Sequence, residues 1–216
     1  MITRLYVNNY RCLVAFEAKF GSFGVLCGQN GAGKSSVFDA LRVLRDLASA
    51  DVSIEQAIGH GDHTNWLDSK IIEFEVDLHA GDHTFQYRLH IEQITDSVKP
   101  RIIEERATCD GKTLFKRDLE GVVFPKASGT QTGFPLDWRQ AALGSIQPAT
   151  DRQEIKVLQE ALGRVLILRP NPLEMENESK EENPHPNLHL GNLTSWYRFL
   201  SQEQEWSDHL SGSGST

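Results

Sequence analysis

Residues 28 to 35 read Gly28-Gln29-Asn30-Gly31-Ala32-Gly33-Lys34-Ser35, and this spacing constrains the chain more than any other feature. Glycines at both ends of the loop let the main chain curl so that successive N–H groups point at one anion. Lys34 brings a mobile positive charge suited to β- and γ-phosphates, and the Ser35 hydroxyl can ligate Mg²⁺. The pattern predicts a grip on the phosphate tail of a nucleotide, with Gly31, Ala32, Gly33, Lys34, Ser35 and the following Ser36 as the binding set. Lys34 is also the candidate catalytic cation. The flanks agree with this reading. Phe23-Gly24-Val25-Leu26-Cys27 is a short apolar run that suits a buried strand. From Lys34 onward, Val37, Phe38, Leu41, Leu44 and Ala48 recur at helical spacing, with Arg42, Arg45 and Asp46 turned away. Strand, glycine loop and helix together would set the phosphates at a helix N-terminus, where unpaired N–H groups and the dipole favour negative charge.

The chain has 216 residues, enough for one good core or one core plus a small subdomain. Its net charge of −8 argues against a surface that is everywhere a nucleic-acid footprint, and leaves room for a local basic patch. No apolar stretch approaches the roughly 18 residues that span a bilayer, so no membrane partner is expected. The N-terminus lacks the basic-then-apolar layout of a secretory signal. Cys12, Cys27 and Cys109 are odd in number and far apart, which fits reduced cytoplasmic thiols.

Ile2 to Val7 and Leu13 to Phe20 are strand candidates, and residues 49 to 69 read as a loop with a short helix. The clearest local signal is a hairpin. Ile72, Phe74, Val76 and Leu78 alternate with acids on one arm, and Phe85, Tyr87, Leu89 and Ile91 alternate with polar residues on the other. A two-residue Gly81-Asp82 turn sets Leu78 opposite Phe85, Val76 opposite Tyr87 and Glu75 opposite Arg88. A second hairpin turns at Asp110-Gly111, between arms near 101–109 and 112–117. The two predict an antiparallel subdomain beside the nucleotide-binding core. Thr150 to Leu162 reads as a helix with a Thr150/Gln153 capping box and Gly163 at its stop. Val165 to Leu168 follows as a buried strand.

The expected domains are a lobe over 1–173, an acidic flexible loop over 174–187, a helical segment over 188–210 and a linker-like tail over 211–216. Glu174, Glu176, Glu178, Glu181 and Glu182 crowd the acidic loop. The helical segment would be capped by Asn192 and bury Leu193, Trp196, Tyr197 and Leu200. Histidines recur in His60-Gly61-Asp62-His63 and His79-Ala80-Gly81-Asp82-His83. A metal site would need them to converge, and Gly81-Asp82 is already accounted for as a turn. Phe134, Trp138, Trp196 and Trp206 read as packing residues.

From Ile2 to Leu47 the chain resembles the N-terminal lobe of ABC-type ATPase heads of the SMC, RecF and double-strand-break-repair group, and of the predicted AAA-type ATPases that share this head. The residues that carry the likeness are Ile2-Thr3-Arg4-Leu5, Asn9-Tyr10-Arg11, Phe20-Gly21, the loop with Asn30 in it, and Val37-Phe38-Asp39-Ala40-Leu41. A weaker likeness runs through Trp138 to Ala142 and Asn192 to Leu200. The resemblance implies an α/β fold: a P-loop NTPase, ABC-ATPase-like head lobe with an antiparallel β subdomain, incomplete because its C-terminal lobe is absent. It also implies that Asn30 reaches the γ-phosphate and that Arg11 contacts nucleotide, against the plainer reading of Arg11 as a surface charge. A glutamine would reach Mg²⁺ and the attacking water. Gln140 is the candidate and Gln131 its rival, beside the reading of each as an ordinary surface glutamine.

Such heads also carry a signature motif and an apolar strand ending in Asp-Glu. Leu210-Ser211-Gly212 gives at most the start of a signature, and Val165 to Leu168 ends in Arg169-Pro170. The implied partners are therefore the missing C-terminal lobe and a second ATPase head in a homodimer, with DNA or a nuclease as coupled effector. The function so implied is ATP-driven head dimerisation in DNA repair or anti-phage defence, with a non-catalytic nucleotide-binding scaffold or sensor as the alternative. The hairpin-rich insert and the Asn9-Tyr10-Arg11 lead-in disfavour a kinase or GTPase.

Overall fold

The computed structural model describes residues 1–49, 52–59, 61–93, 99–125, 131–147, 152–178 and 180–202. Eight strands form one antiparallel sheet: β1 (Ile2–Asn8), β2 (Phe16–Lys19), β3 (Ile71–Ala80), β4 (His83–Glu92), β5 (Arg101–Cys109), β6 (Lys112–Arg117), β7 (Val122–Pro125) and β8 (Gln131–Phe134). Their order is β2-β1-β3-β4-β5-β6-β7-β8. The expected hairpin is present in the expected register, with Leu78 opposite Phe85, Val76 opposite Tyr87 and Glu75 opposite Arg88. The second hairpin turns at Asp110 and Gly111, whose φ values of 49° and 77° are the paired left-handed conformations of a two-residue turn. The hairpins supply the antiparallel part that was expected. β1 pairs with β3, so they continue one sheet.

Period-two alternation divides that sheet into a wet face and a dry one. Leu5, Val7, Phe74, Val76, Tyr87 and Leu89 are among the side chains fully buried on the dry side. The wet face is laced by cross-strand ion pairs. Arg4 meets Glu75 at 3.0 Å and Glu17 at 3.2 Å, and Arg88 meets Glu75 at 2.7 Å.

Four helices complete this unit: α1 (Lys34–Ala48), α2 (Ile54–Ala57), α3 (Ala142–Ser145) and α4 (Gln153–Gly163). α1 buries Val37, Ala40, Val43, Leu44 and Leu47, and α4 buries Ile155, Leu158 and Leu162 in the same core. Each of the buried Val, Leu and Ile side chains contributes about 1.5–3 kcal/mol by leaving water. Phe38, expected on the inward stripe of α1, is 45% exposed and faces away. α4 starts at Gln153 after Arg152 as its N-cap. Thr150, half of the expected capping box, lies outside the described residues, as do His60, Trp206 and the tail from 203 onward.

Two further expectations are corrected. The strand expected over Leu13 to Phe20 is shorter, because Tyr10 and Leu13 close a tight bridge and Ala15 adopts φ 45°. Val165 to Leu168 is not a strand. Leu166 is exposed, and the Val165 N–H closes the end of α4 on the Leu162 carbonyl.

Met1–Val165 is one compact unit and Leu166–Thr216 a second. In the second, the Arg169 and Asn171 N–H groups donate to Leu188 and His189, and helix α5 (Leu193–Gln202) follows. Glu174, Glu176 and Glu178 are exposed, while the main chain around them is tied by bonds such as Glu176 N–H to Gly191 O at 2.9 Å. The expected apolar face of α5 is only partly covered: Ser195 is its buried residue, and Tyr197 is exposed.

Candidate functional site

The glycine loop leads directly into α1. Gly33 is the N-cap, with φ 90° in the left-handed region. A Cβ there would sit 2.9 Å from Cys12 Sγ and 3.3 Å from a Leu13 methyl, so both conformation and space require glycine. No side chain caps α1, and its first turn carries no acid. A helix start leaves main-chain donors without intrahelical acceptors, so this terminus suits an anion. Lys34 curls back over the loop and donates from Nζ to the carbonyls of Gly28 at 2.6 Å and Gln29 at 2.7 Å. Asn30, Gly31, Ala32 and Ser35 are exposed, whereas Ser36 is buried with its hydroxyl 3.5 Å from Cys12 Sγ. These residues fit a bound triphosphate: an open loop, a positively polarised helix end and a cation on a long side chain that folds over the loop.

The run that feeds this loop differs from expectation. Phe23 to Cys27 is neither a strand nor buried, with Phe23 84% and Val25 72% exposed. A run apolar on both faces is stable as a strand only when neighbours cover it. None of the eight strands pairs with it. Phe20, Phe23, Val25, Leu26, Phe38 and Leu41 instead line an open apolar groove of about 420 Å³.

Asn9-Tyr10-Arg11 is a brace between β1, α1 and the 59–71 segment. Asn9 is fully buried in a left-handed conformation. Its Nδ2 donates to the Ser69 and Ile71 carbonyls, and its Oδ1 accepts the Thr64 N–H. The Tyr10 ring packs edge-on against Phe74, and burial raises its hydroxyl pKa. The Arg11 guanidinium pairs with Asp39 on α1 and, at 2.8 Å, with Asp62. Burial works to lower the Arg11 pKa, but the Asp62 hydrogen bond and the surrounding charges leave it raised. Arg11 thus sits beside the loop with its charge already matched.

Gln140 lies in the exposed turn before α3, with its N–H on the Asp137 carbonyl. Among the described residues its side chain makes no hydrogen bond to the glycine loop. Gln131 opens β8, and its side chain is outside the described set. What fixes the Gln140 segment is a buried ionic cluster. Glu105, fully buried, accepts the Ala142 and Leu143 N–H groups at 2.6 and 2.7 Å and the Tyr87 hydroxyl at 2.9 Å. Arg117 lies 3.6 Å from Glu105 and donates to the Asp137 carbonyl. Burial raises Glu105 against the pull of these donors, and burial lowers Arg117.

A family model described as an AAA ATPase domain matches residues 1–116, more than half of the chain, and takes in the loop, α1 and the sheet through β6. The chain belongs to the AAA ATPase domain family. No curated protein matches it. A solved structure from work on ATP-driven dimerization and DNA-stimulated activation of SMC ATPases is 15% identical, with a TM-score of 0.41, over 80% of this chain and 93% of that one.

Within this AAA ATPase domain, sequence reasoning missed the carboxylates that hold Arg11 and the Glu105–Arg117 pair. The second had a visible signal: Glu105 shares its parity on β5 with Ala107 and Cys109, so a charge falls at an inward position. Asp39 had none, since a lone acid in an amphipathic helix is ordinary.

Proposed function

We propose that this ATPase domain binds Mg·ATP on the loop from Gly28 to Ser36. Lys34 would exchange the Gly28 and Gln29 carbonyls for β- and γ-phosphate oxygens, and the Ser35 hydroxyl would ligate Mg²⁺. Asn30, exposed on the loop, would face the γ-phosphate, and Gln140 would approach the metal and the attacking water. Arg11 would hold α1 in place through Asp39 rather than bond the phosphates itself. The observation that carries the reading is the junction at Gly33, where a left-handed glycine, a lysine folded over the loop and an uncapped helix start coincide.

The wider role proposed is ATP-driven association of two such heads, coupled to DNA repair or to defence against foreign DNA. The bare apolar groove beside the loop supports it, because a further lobe of the same polypeptide would cover Phe23, Val25 and Leu26 and turn the run into a strand. The second reading is a nucleotide-binding scaffold that does not hydrolyse. Either way, the chain alone should turn ATP over slowly, since positioning and water activation supply much of phosphoryl-transfer catalysis.

Calorimetry with Mg·ATP tests the shared core of both readings. Lys34→Ala should weaken binding about a hundredfold, or ~2.7 kcal/mol, with an unchanged far-ultraviolet circular dichroism spectrum. Equal affinity in the two proteins overturns the assignment of the loop.

A further inference from the structure

The turns of the two hairpins meet at one corner of the sheet, and there a cluster forms that the nucleotide site does not use. His83 opens β4, while Cys109 and Asp110 end β5 and begin its turn. His83 Nδ1 lies 2.7 Å from Asp110 Oδ2, and Cys109 Sγ lies 3.7 Å from the same oxygen. All three donor atoms fall within 4.8 Å of one another. The histidines of the two similar phrases do not create this cluster together. His63 stays with the Tyr10 bridge, and His79 bonds Thr84 through its Nδ1.

The geometry points to a divalent transition-metal site of the zinc class at this corner, with His83 Nδ1, Cys109 Sγ and Asp110 Oδ2 as ligands. Imidazole, thiolate and carboxylate are the donors that zinc takes, whereas magnesium and calcium prefer oxygen alone. Zinc–ligand bonds of about 2.0–2.3 Å in a tetrahedron put neighbouring donors about 3.3–3.8 Å apart. The sulfur–oxygen separation already matches. The nitrogen–oxygen separation is that of a hydrogen bond, and it opens by about half an ångström once its proton is replaced by a cation.

The surroundings hold the ligands in place. Asp110 Oδ1 accepts the Thr84 N–H at 2.9 Å, which orients the carboxylate. The Asp110 N–H donates to the Thr84 carbonyl at 2.9 Å, which fixes one strand end against the other. His83 and Asp110 are about half exposed, so an ion has an entry path, while Cys109 is buried beneath them. The fourth position is left to water. Glu154, in the first turn of α4, is near enough for its charge to act on both His83 and Cys109. Without a cation, burial and these carboxylates push the Cys109 thiol up to about 11. A bound divalent ion reverses that balance: the Cys109 thiol proton passes to the buffer as the sulfur bond forms, and His83 binds through Nδ1 as the neutral imidazole with its proton on Nε2.

The test uses the whole chain, titrated with Co²⁺ as a spectroscopic probe and with Zn²⁺ against a chromophoric chelator. One equivalent of Co²⁺ should produce a near-ultraviolet thiolate-to-cobalt band that Zn²⁺ abolishes. His83→Ala, at an exposed position that leaves the core intact, should weaken Zn²⁺ about tenfold or more. Cys109→Ser should lose the sulfur band, and a Cys12→Ser/Cys27→Ser double variant should keep it. The proposal is overturned if the wild-type chain gives no sulfur band, if the band survives Cys109→Ser, or if it disappears with Cys12 and Cys27. Unchanged Zn²⁺ affinity in His83→Ala overturns it equally.

Discussion

Two stretches that both carry large apolar side chains end in opposite environments. β3 and β4 place Phe74, Val76, Tyr87 and Leu89 at essentially zero exposure, while Phe23 and Val25, in a run with no polar residue, stand in water. The difference lies in where each finds its neighbours. The hairpin arms are joined by a two-residue turn, so each strand's partner is supplied within the same short segment. The 23–27 run is flanked by a glycine loop and an edge strand of four residues, β2, and nothing local can cover both its faces. Apolar character alone therefore states a demand for cover without saying what meets it.

Paired phenylalanine substitutions sharpen that contrast most. Phe74→Ala should destabilise the chain by about 4 kcal/mol in urea unfolding, because it leaves a cavity under the sheet. Phe23→Ala should stay within about 0.5 kcal/mol of the parent, as surface changes do. Comparable losses in the two variants would break the comparison.

A second measurement concerns how the sheet region holds charge. Glu105→Gln keeps the volume but leaves Arg117 buried without its counter-charge, and should lower unfolding stability by about 3 kcal/mol. Faster amide exchange at Ala142 and Leu143 should accompany it. Smaller again is the junction between the regions. Gly33→Ala should be destabilising by about 2 kcal/mol through left-handed strain and the contact with Cys12. Full retention of stability would show that the loop is not pressed against residues 12 and 13.

The smallest effect belongs to the exposed Asp137–Arg139 pair. The Arg139 hydrogen bonds hold the Asp137 carboxyl down to about 2. Since its folded value is lowered, the charged form is the one favoured in the fold. Its contribution is present above the ordinary aspartate range and is lost as pH falls through about 2. A carboxyl-carbon NMR titration should show that midpoint, and Arg139→Gln should move it upward toward 3.8.

Much of this architecture was legible because its signals are short-range. Both hairpin turns, the register through Glu75 and Arg88, and the span of α1 follow from alternation, turn residues and helical spacing read over a dozen positions. Glu105 stood out by its parity on β5, but Arg117 as its partner was hidden by a register shift between Ala107 and Thr108. An unbroken ladder from the Asp110-Gly111 turn would have set Lys116, not Arg117, opposite Glu105. Of the candidate site, the glycine loop was legible because its chemistry resides in consecutive residues. The hold on Arg11 was not, since Asp39 and Asp62 lie 28 and 51 positions away. Nor was the corner of His83 and Cys109, which only cross-strand pairing brings together.

The curl of Lys34 onto the two carbonyls of its own loop has one more consequence. At the proposed site an incoming anion would meet an ammonium with two of its three donors already engaged, so capture would proceed largely as a swap of acceptors rather than the filling of a bare charge. The enthalpy gained from those two bonds would then be the difference between a phosphate oxygen and an amide oxygen. Under the proposed reading, discrimination by Lys34 would fall on how much negative charge the guest carries, which would rank a triphosphate above its shorter relatives.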